Sequence, residues 1–110
     1  LTMLEAMSYG KPVIATNYSG NCDFMDDTNS FPVPFELTKI GHGSEPYSDD
    51  GMWAQPDLSN AADYMRNVFE NRKEGALVGE MAARSVESLY NSEKIGNQIS
   101  LRLTEIYNSL

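Results

Sequence analysis

Residues 1–16, LTMLEAMSYGKPVIAT, confine the chain to an α/β fold more tightly than any other stretch. Leu1, Leu4 and Ala6, with Met3 and Met7, set apolar side chains around much of a short helix, and Gly10 supplies the permissive backbone of its C-cap. The helix must stop there, because Pro12 has no N–H with which to continue it. Val13, Ile14, Ala15 and Thr16 are uncharged and partly β-branched, the composition of a strand covered on both faces of a parallel sheet. A helix feeding such a strand is half of an α/β crossover.

Downstream, Asn17 to Asn21 reads as a loop, with Asn21 capping a helical turn that runs through Met25 and is broken by Asp26, Asp27, Thr28 and Asn29. Val33, Phe35, Leu37 and Ile40 predict one strand over 31–40, pushed to a sheet edge by Pro32 and Pro34. Gly41, Gly43, Pro46, Gly51 and Pro56 predict a loop insertion over 41–56, pinned to the body by Tyr47 and Trp53. Asp57 is the N-cap of a helix that repeats Leu58, Ala61, Ala62, Met65, Val68 and Phe69 on one stripe. A second helix, about Glu74 to Tyr90, is expected to bury Leu77, Met81, Ala82, Val86 and Leu89. A third restarts at Asn91-Ser92 and carries Ile95, Ile99, Leu103 and Ile106 over the terminal segment 92–110. No repeat or low-complexity tract interrupts this order.

The chain has 110 residues, 41% of them apolar, which suits one domain at most with a modest core. Sixteen acids against eight bases give a net charge of −8 and argue against a nucleic-acid groove, which neutralises phosphates with Lys and Arg. The bases form no cluster in sequence, so an acidic-lipid patch is not expected here. No apolar run approaches the roughly 20 residues of a transmembrane span. Cys22 is alone and can form no internal disulfide, which favours a reducing, cytoplasmic compartment.

The string L-T-M-L-E-A-M-S-Y-G-K-P-V-I-A-T resembles the signature of retaining GT-B glycosyltransferases, two-domain Rossmann-like enzymes that use nucleotide-sugar donors. Their signature reads roughly E-G-F-G-L-T-x-L-E-A-M-A-x-G-K-P-V-I-A-T and contains the paired glutamates E-x7-E. Glu5 matches the second glutamate, and the first would lie four residues before Leu1. The resemblance extends over residues 1–70, through Ser19-Gly20-Asn21, Asp23-Phe24-Met25, Asn29-Ser30-Phe31 and Trp53-Ala54-Gln55-Pro56-Asp57-Leu58, with the spacing of bacterial members that build polysaccharides. It implies that residues 1–110 are the C-terminal portion of the donor-binding domain and that the partner N-terminal domain of the same protein lies upstream. The activity it implies is transfer of a sugar from a nucleotide diphosphate sugar to a glycan acceptor with retention. Such a piece would be inactive alone.

By this resemblance the Glu5 carboxylate accepts both ribose hydroxyls of the donor in charge-assisted hydrogen bonds. Leu1 and Thr2 meet the diphosphate through backbone N–H groups at the positive end of the helix, Thr2 adding its hydroxyl. Ser19 and Gly20 follow the strand's carboxyl end, where α/β sheets bind ligands, although a plain tight turn fits them nearly as well. The resemblance implies no catalytic metal and no resident cofactor. The cations that stabilise the leaving diphosphate lie upstream, and any peripheral membrane contact would come from the same part. No residue in the chain is assigned as catalytic.

Other readings compete at several positions. Without the resemblance, Glu5 reads as a residue that merely favours the dipole of its own helix, worth about 0.3–1 kcal/mol, and the resemblance turns the preference to the ribose. His42 reads as a solvated loop residue, Cys22 as a small core filler, the six Met residues as helix packing, and Trp53 as an anchor. A non-catalytic binding or scaffold module of a polysaccharide-assembly protein keeps the same fold. A nucleotide-sugar epimerase is a third reading, disfavoured by the L-T-x-L-E-A-M string.

Overall fold

Gly10 ends the first helix as its sequence predicts. It takes φ +67°, its N–H donates to the Met7 carbonyl at 2.9 Å, and the Lys11 N–H donates to Ala6 at 3.0 Å, the paired bonds of a Schellman cap. The computed structural model describes residues 1–110, in the order α1 (Thr2–Ser8), β1 (Ile14–Thr16), a 3-10 helix (Ser19–Asp23), β2 (Phe31–Val33), β3 (Phe35–Lys39), β4 (Met52–Pro56), α2 (Leu58–Glu70), α3 (Arg72–Tyr90) and α4 (Ser92–Ser109). The fold is mixed α/β.

The sheet differs from expectation. β1 and β2 pair in parallel, Ile14 opposite Phe31 and Thr16 opposite Val33, but β1 is half-exposed along its length and is not covered on both faces. Pro34 divides the single strand expected over 31–40 into two, because it offers no N–H to a ladder and the chain changes partners there. Its carbonyl instead accepts from the Asp57 N–H at 2.8 Å. Beyond it, β3 runs antiparallel to β4, with Leu37 opposite Ala54 and Thr38 opposite Trp53. Residues 52–56 are therefore a strand, and the expected insertion shrinks to a hairpin loop. Tyr47 is 63% exposed and Trp53 39%, so neither pins the hairpin to the body.

The core lies between α1, the β1–β2 connection and α3. Met7, Met25 and Ala82 form its centre, with Val13, Ala15, Phe24 and Val86 packed around them. Phe31 and Val33 extend it beneath α2, where the Phe31 ring meets Tyr64 at 5.4 Å between centroids. The β1–β2 connection enters the core through a hydrogen-bonded turn. Buried Asn29 accepts from the Asp26 N–H and donates to the Phe24 carbonyl, while the Ser30 hydroxyl donates to the Asp26 carbonyl. No polar group of this turn's buried side chains is wasted.

Asp57 caps α2 as predicted, accepting from the Asn60 N–H at 3.0 Å. Asn91 caps α4 in the same way through the Lys94 N–H at 2.8 Å. The burial stripes are another matter. Leu58, Met65 and Phe69 of α2 are exposed, and α3 turns inward Gly75, Gly79 and Ala82 while Leu77, Met81 and Leu89 face outward. Close approach explains the choice: a Cβ on Gly79 would collide with the Gly10 carbonyl, so only glycine lets α3 reach the turn after α1. On α4, Ile99, Leu103 and Ile106 are exposed and Ile95 is half-buried.

Candidate functional site

The site residues expected from sequence fall at two places, the start of α1 and the segment after the carboxyl end of β1. At the first, Leu1 is the N-cap and its carbonyl accepts the Glu5 N–H at 3.0 Å, while no side chain caps the helix. The N–H groups of Thr2, Met3 and Leu4 have no partner within the helix, as the first turn of any helix dictates. Glu5 is exposed, and its carboxylate makes no hydrogen bond or ion pair with the rest of the chain. Its backbone carbonyl, by contrast, accepts from the Ser8 hydroxyl at 2.7 Å and from the Tyr9 N–H. The Glu5 carboxylate is thus held on an ordered turn with its acceptor oxygens free. α1 has only seven residues, so its dipole is that of two turns.

Ser19 and Gly20 open the 3-10 helix after β1. Ser19 adopts φ +69°, a left-handed conformation uncommon for a residue with a side chain, and Gly20 has open space around it. Asn21 is not the cap expected of it. It lies inside the helix, where its Nδ2 donates to the Thr16 carbonyl at 2.9 Å, and Tyr18 takes the N-cap position without a side-chain bond. Neither Ser19 nor Gly20 shares a hydrogen bond with Leu1, Thr2 or Glu5, and no cavity contains members of both groups.

The carboxyl end of β2 leads straight into a groove of about 320 Å³ that sequence reasoning missed. Pro34, Phe35, Glu36, Gln55, Pro56 and Asp57 line it. The Tyr18 ring meets Phe35 edge-on, 5.0 Å between centroids, and joins the loop after β1 to the groove. The signal was faint in sequence, because the groove forms only where residues 34–36 and 55–57 are brought together by strand pairing.

The remaining polar residues are local. Exposed Cys22 donates through Sγ to the Asn17 Oδ1 at 3.4 Å and is not a core filler. Of the six Met residues, only Met7 and Met25 are buried. His42 is solvated, as expected, and pairs through Nδ1 with the Asp49 carboxylate across the hairpin loop. The Thr28 hydroxyl and N–H both donate to the Asp26 carboxylate and hold its pKa below the ordinary carboxylate value. No helix is long and apolar enough to cross a membrane.

Comparison with protein-family profiles, with curated proteins and with solved structures finds no match to this chain.

Proposed function

We propose that this chain contributes the donor side of a retaining glycosyltransferase of the Rossmann-like GT-B type, and that Glu5 binds the ribose of a nucleotide diphosphate sugar. The observation that carries the reading is Glu5 within L-T-M-L-E-A-M, followed by G-K-P-V-I-A-T, with its carboxylate exposed and unpaired on an ordered helical turn. A carboxylate so placed breaks no internal contact when it accepts two vicinal hydroxyls, and the cost is the ordering of one side chain. The free N–H groups at the start of α1 suit the diphosphate, and Leu1 and Thr2 are the residues nearest that end. Transfer to a glycan acceptor then needs the leaving diphosphate's charge to be stabilised by preorganised donors. Cations outside residues 1–110 supply that in this reading, with no metal.

Titration of the protein with UDP, GDP and their sugar conjugates, followed by thermal shift, tests the assignment. Glu5→Gln keeps the size of the side chain but removes its charge and one acceptor, and is expected to weaken the responding nucleotide by about tenfold, equivalent to about 1.4 kcal/mol. Equal affinity in the variant overturns the role of Glu5.

The exposed apolar residues of α2, α3 and α4 favour a second reading, a non-catalytic module that assembles with other components of polysaccharide synthesis. In that case no nucleotide stabilises the protein.

A further inference from the structure

We propose that the apolar stripe of α4 pairs antiparallel with the same stripe of a second copy of this chain. Neither sugar transfer nor Glu5 bears on this contact. Every residue from Gly96 to Leu110 is exposed, and α4 meets the body chiefly through α3, with Ile95 its one half-buried residue. A helix of this length gains most of its stability by packing an apolar face. Ile95, Ile99, Leu103, Ile106 and the C-cap Leu110 make such a face, within about a quarter of the helix circumference.

Three observations select a second copy as the partner. The first is spacing. Counted from Leu103, the stripe has residues eight and four positions before it and three and seven positions after it. Two such helices, antiparallel about a twofold axis at Leu103, bring Ile99 against the partner's Ile106 and Ile95 against the partner's Leu110. The stripe is thus complementary to itself, as an isologous dimer requires. The second is charge. α4 is neutral, with Glu93 and Glu105 against Lys94 and Arg102, so the net charge of −8 resides on residues 1–91. A partner chosen by charge would dock there and not on α4. Antiparallel pairing sets the two acidic bodies at opposite ends of a helix about 27 Å long, well beyond a Debye length of about 8 Å, whereas parallel pairing sets them side by side. Arg102, beside the axis, is ion-paired with Glu105 of its own chain at 3.0 Å. The third is area. The chain exposes 8170 Å², about 2,000 Å² more than a compact monomer of its mass, and each partner in a standard interface contributes only about 800 Å².

Sedimentation equilibrium of the full chain from about 1 to 300 µM, without nucleotide, tests the pairing. A mass that rises from one chain to two, and no further, is expected. Leu103→Glu puts two carboxylates at the axis and is expected to weaken association about tenfold or more. That side chain is 61% exposed in the single chain, so the variant leaves the core intact. Leu101→Glu adds the same charge on the opposite side of α4 and is expected to leave association unchanged. Orientation is read by oxidising a mixture of Ile99→Cys and Ile106→Cys chains, both also carrying Cys22→Ser. The antiparallel pair gives disulfides between the two variants ahead of either homodimer. A chain that stays monomeric throughout leaves the stripe to some other protein and overturns the proposal. So do association that Leu101→Glu weakens as much as Leu103→Glu, association that neither weakens, and a predominance of disulfide-linked homodimers. Growth past the dimer overturns it as well, since an isologous contact closes at two. The role of Glu5 is read by nucleotide binding and not by mass, so the two readings fail separately.

Discussion

Glycine has opposite consequences at two helical positions of this protein. Gly79, in the middle of α3, faces the turn after α1 so closely that a Cβ there would meet the Gly10 carbonyl. Gly96, in α4, has nothing within 4 Å. Alanine is intrinsically the better helix former by about 1 kcal/mol at either position. At Gly79 that gain is outweighed by forced separation of two backbones, which cannot rotate aside as a side chain does. Gly79→Ala is therefore expected to cost about 1–3 kcal/mol net, and Gly96→Ala to gain about 0.5–1 kcal/mol. Urea denaturation of the two variants checks both signs, and a neutral Gly79→Ala would show that α3 does not approach α1 so closely.

At the scale of elements, the helices and the parallel strand β1 were legible, and the β3–β4 pairing was not. Asp57 and Asn91 announce α2 and α4 because a cap is a local device: the side chain bonds an N–H three residues on, whatever the rest of the chain does. Gly10 announces the end of α1 for the same reason. Strand pairing is different in kind. β3 finds β4 across a loop that contains Gly41, Gly43, Pro46 and Gly51, and those residues hide Met52 to Pro56 inside what reads as an insertion. The buried face of α3 was legible only in part: Ala82 and Val86 lie in or against the core as expected, but periodicity also points to Leu77, Met81 and Leu89, which are exposed, whereas contact distance selects Gly75 and Gly79. Of the site residues, Glu5 was readable from its motif, but the groove by Gln55 was not, since it exists only once the ribbon forms. The caps carry a quantitative expectation. Asp57→Ala should lower global stability by about 1 kcal/mol, because α2 packs on β1 and β2. Asn91→Ala removes an equivalent bond but acts on a helix with few tertiary contacts, so amide exchange near Lys94 should rise with little change in the denaturation midpoint. Equal midpoint losses would contradict that division.

The molecule as a whole is spread thin. Its accessible surface is 8170 Å². A compact monomer of this mass exposes roughly 6,100 Å². The radius of gyration, 17.9 Å, likewise exceeds the roughly 13 Å of a closed domain of this length. Only nine residues are buried, so stability rests on the small core around Met7 and Ala82 and on helices that largely support themselves. The net charge of −8 and the interspersed ion pairs, such as Arg84 with Glu80 and Arg102 with Glu105, keep the outer faces polar between the apolar residues.

The hairpin beyond Pro34 has a spectroscopic consequence. Trp53, the single tryptophan, sits on β4, and neither β3 nor β4 packs extensively on any element but the other. Its emission reports the ribbon, while far-ultraviolet ellipticity is dominated by α2, α3 and α4. The two signals are expected to melt apart, with fluorescence changing first, as local opening of a weakly anchored unit precedes loss of the core. Superimposable curves would mean that Pro34 and Asp57 couple the ribbon to the body as tightly as the core couples its helices. A fluorescence midpoint taken alone would then, and only then, measure the stability of the protein.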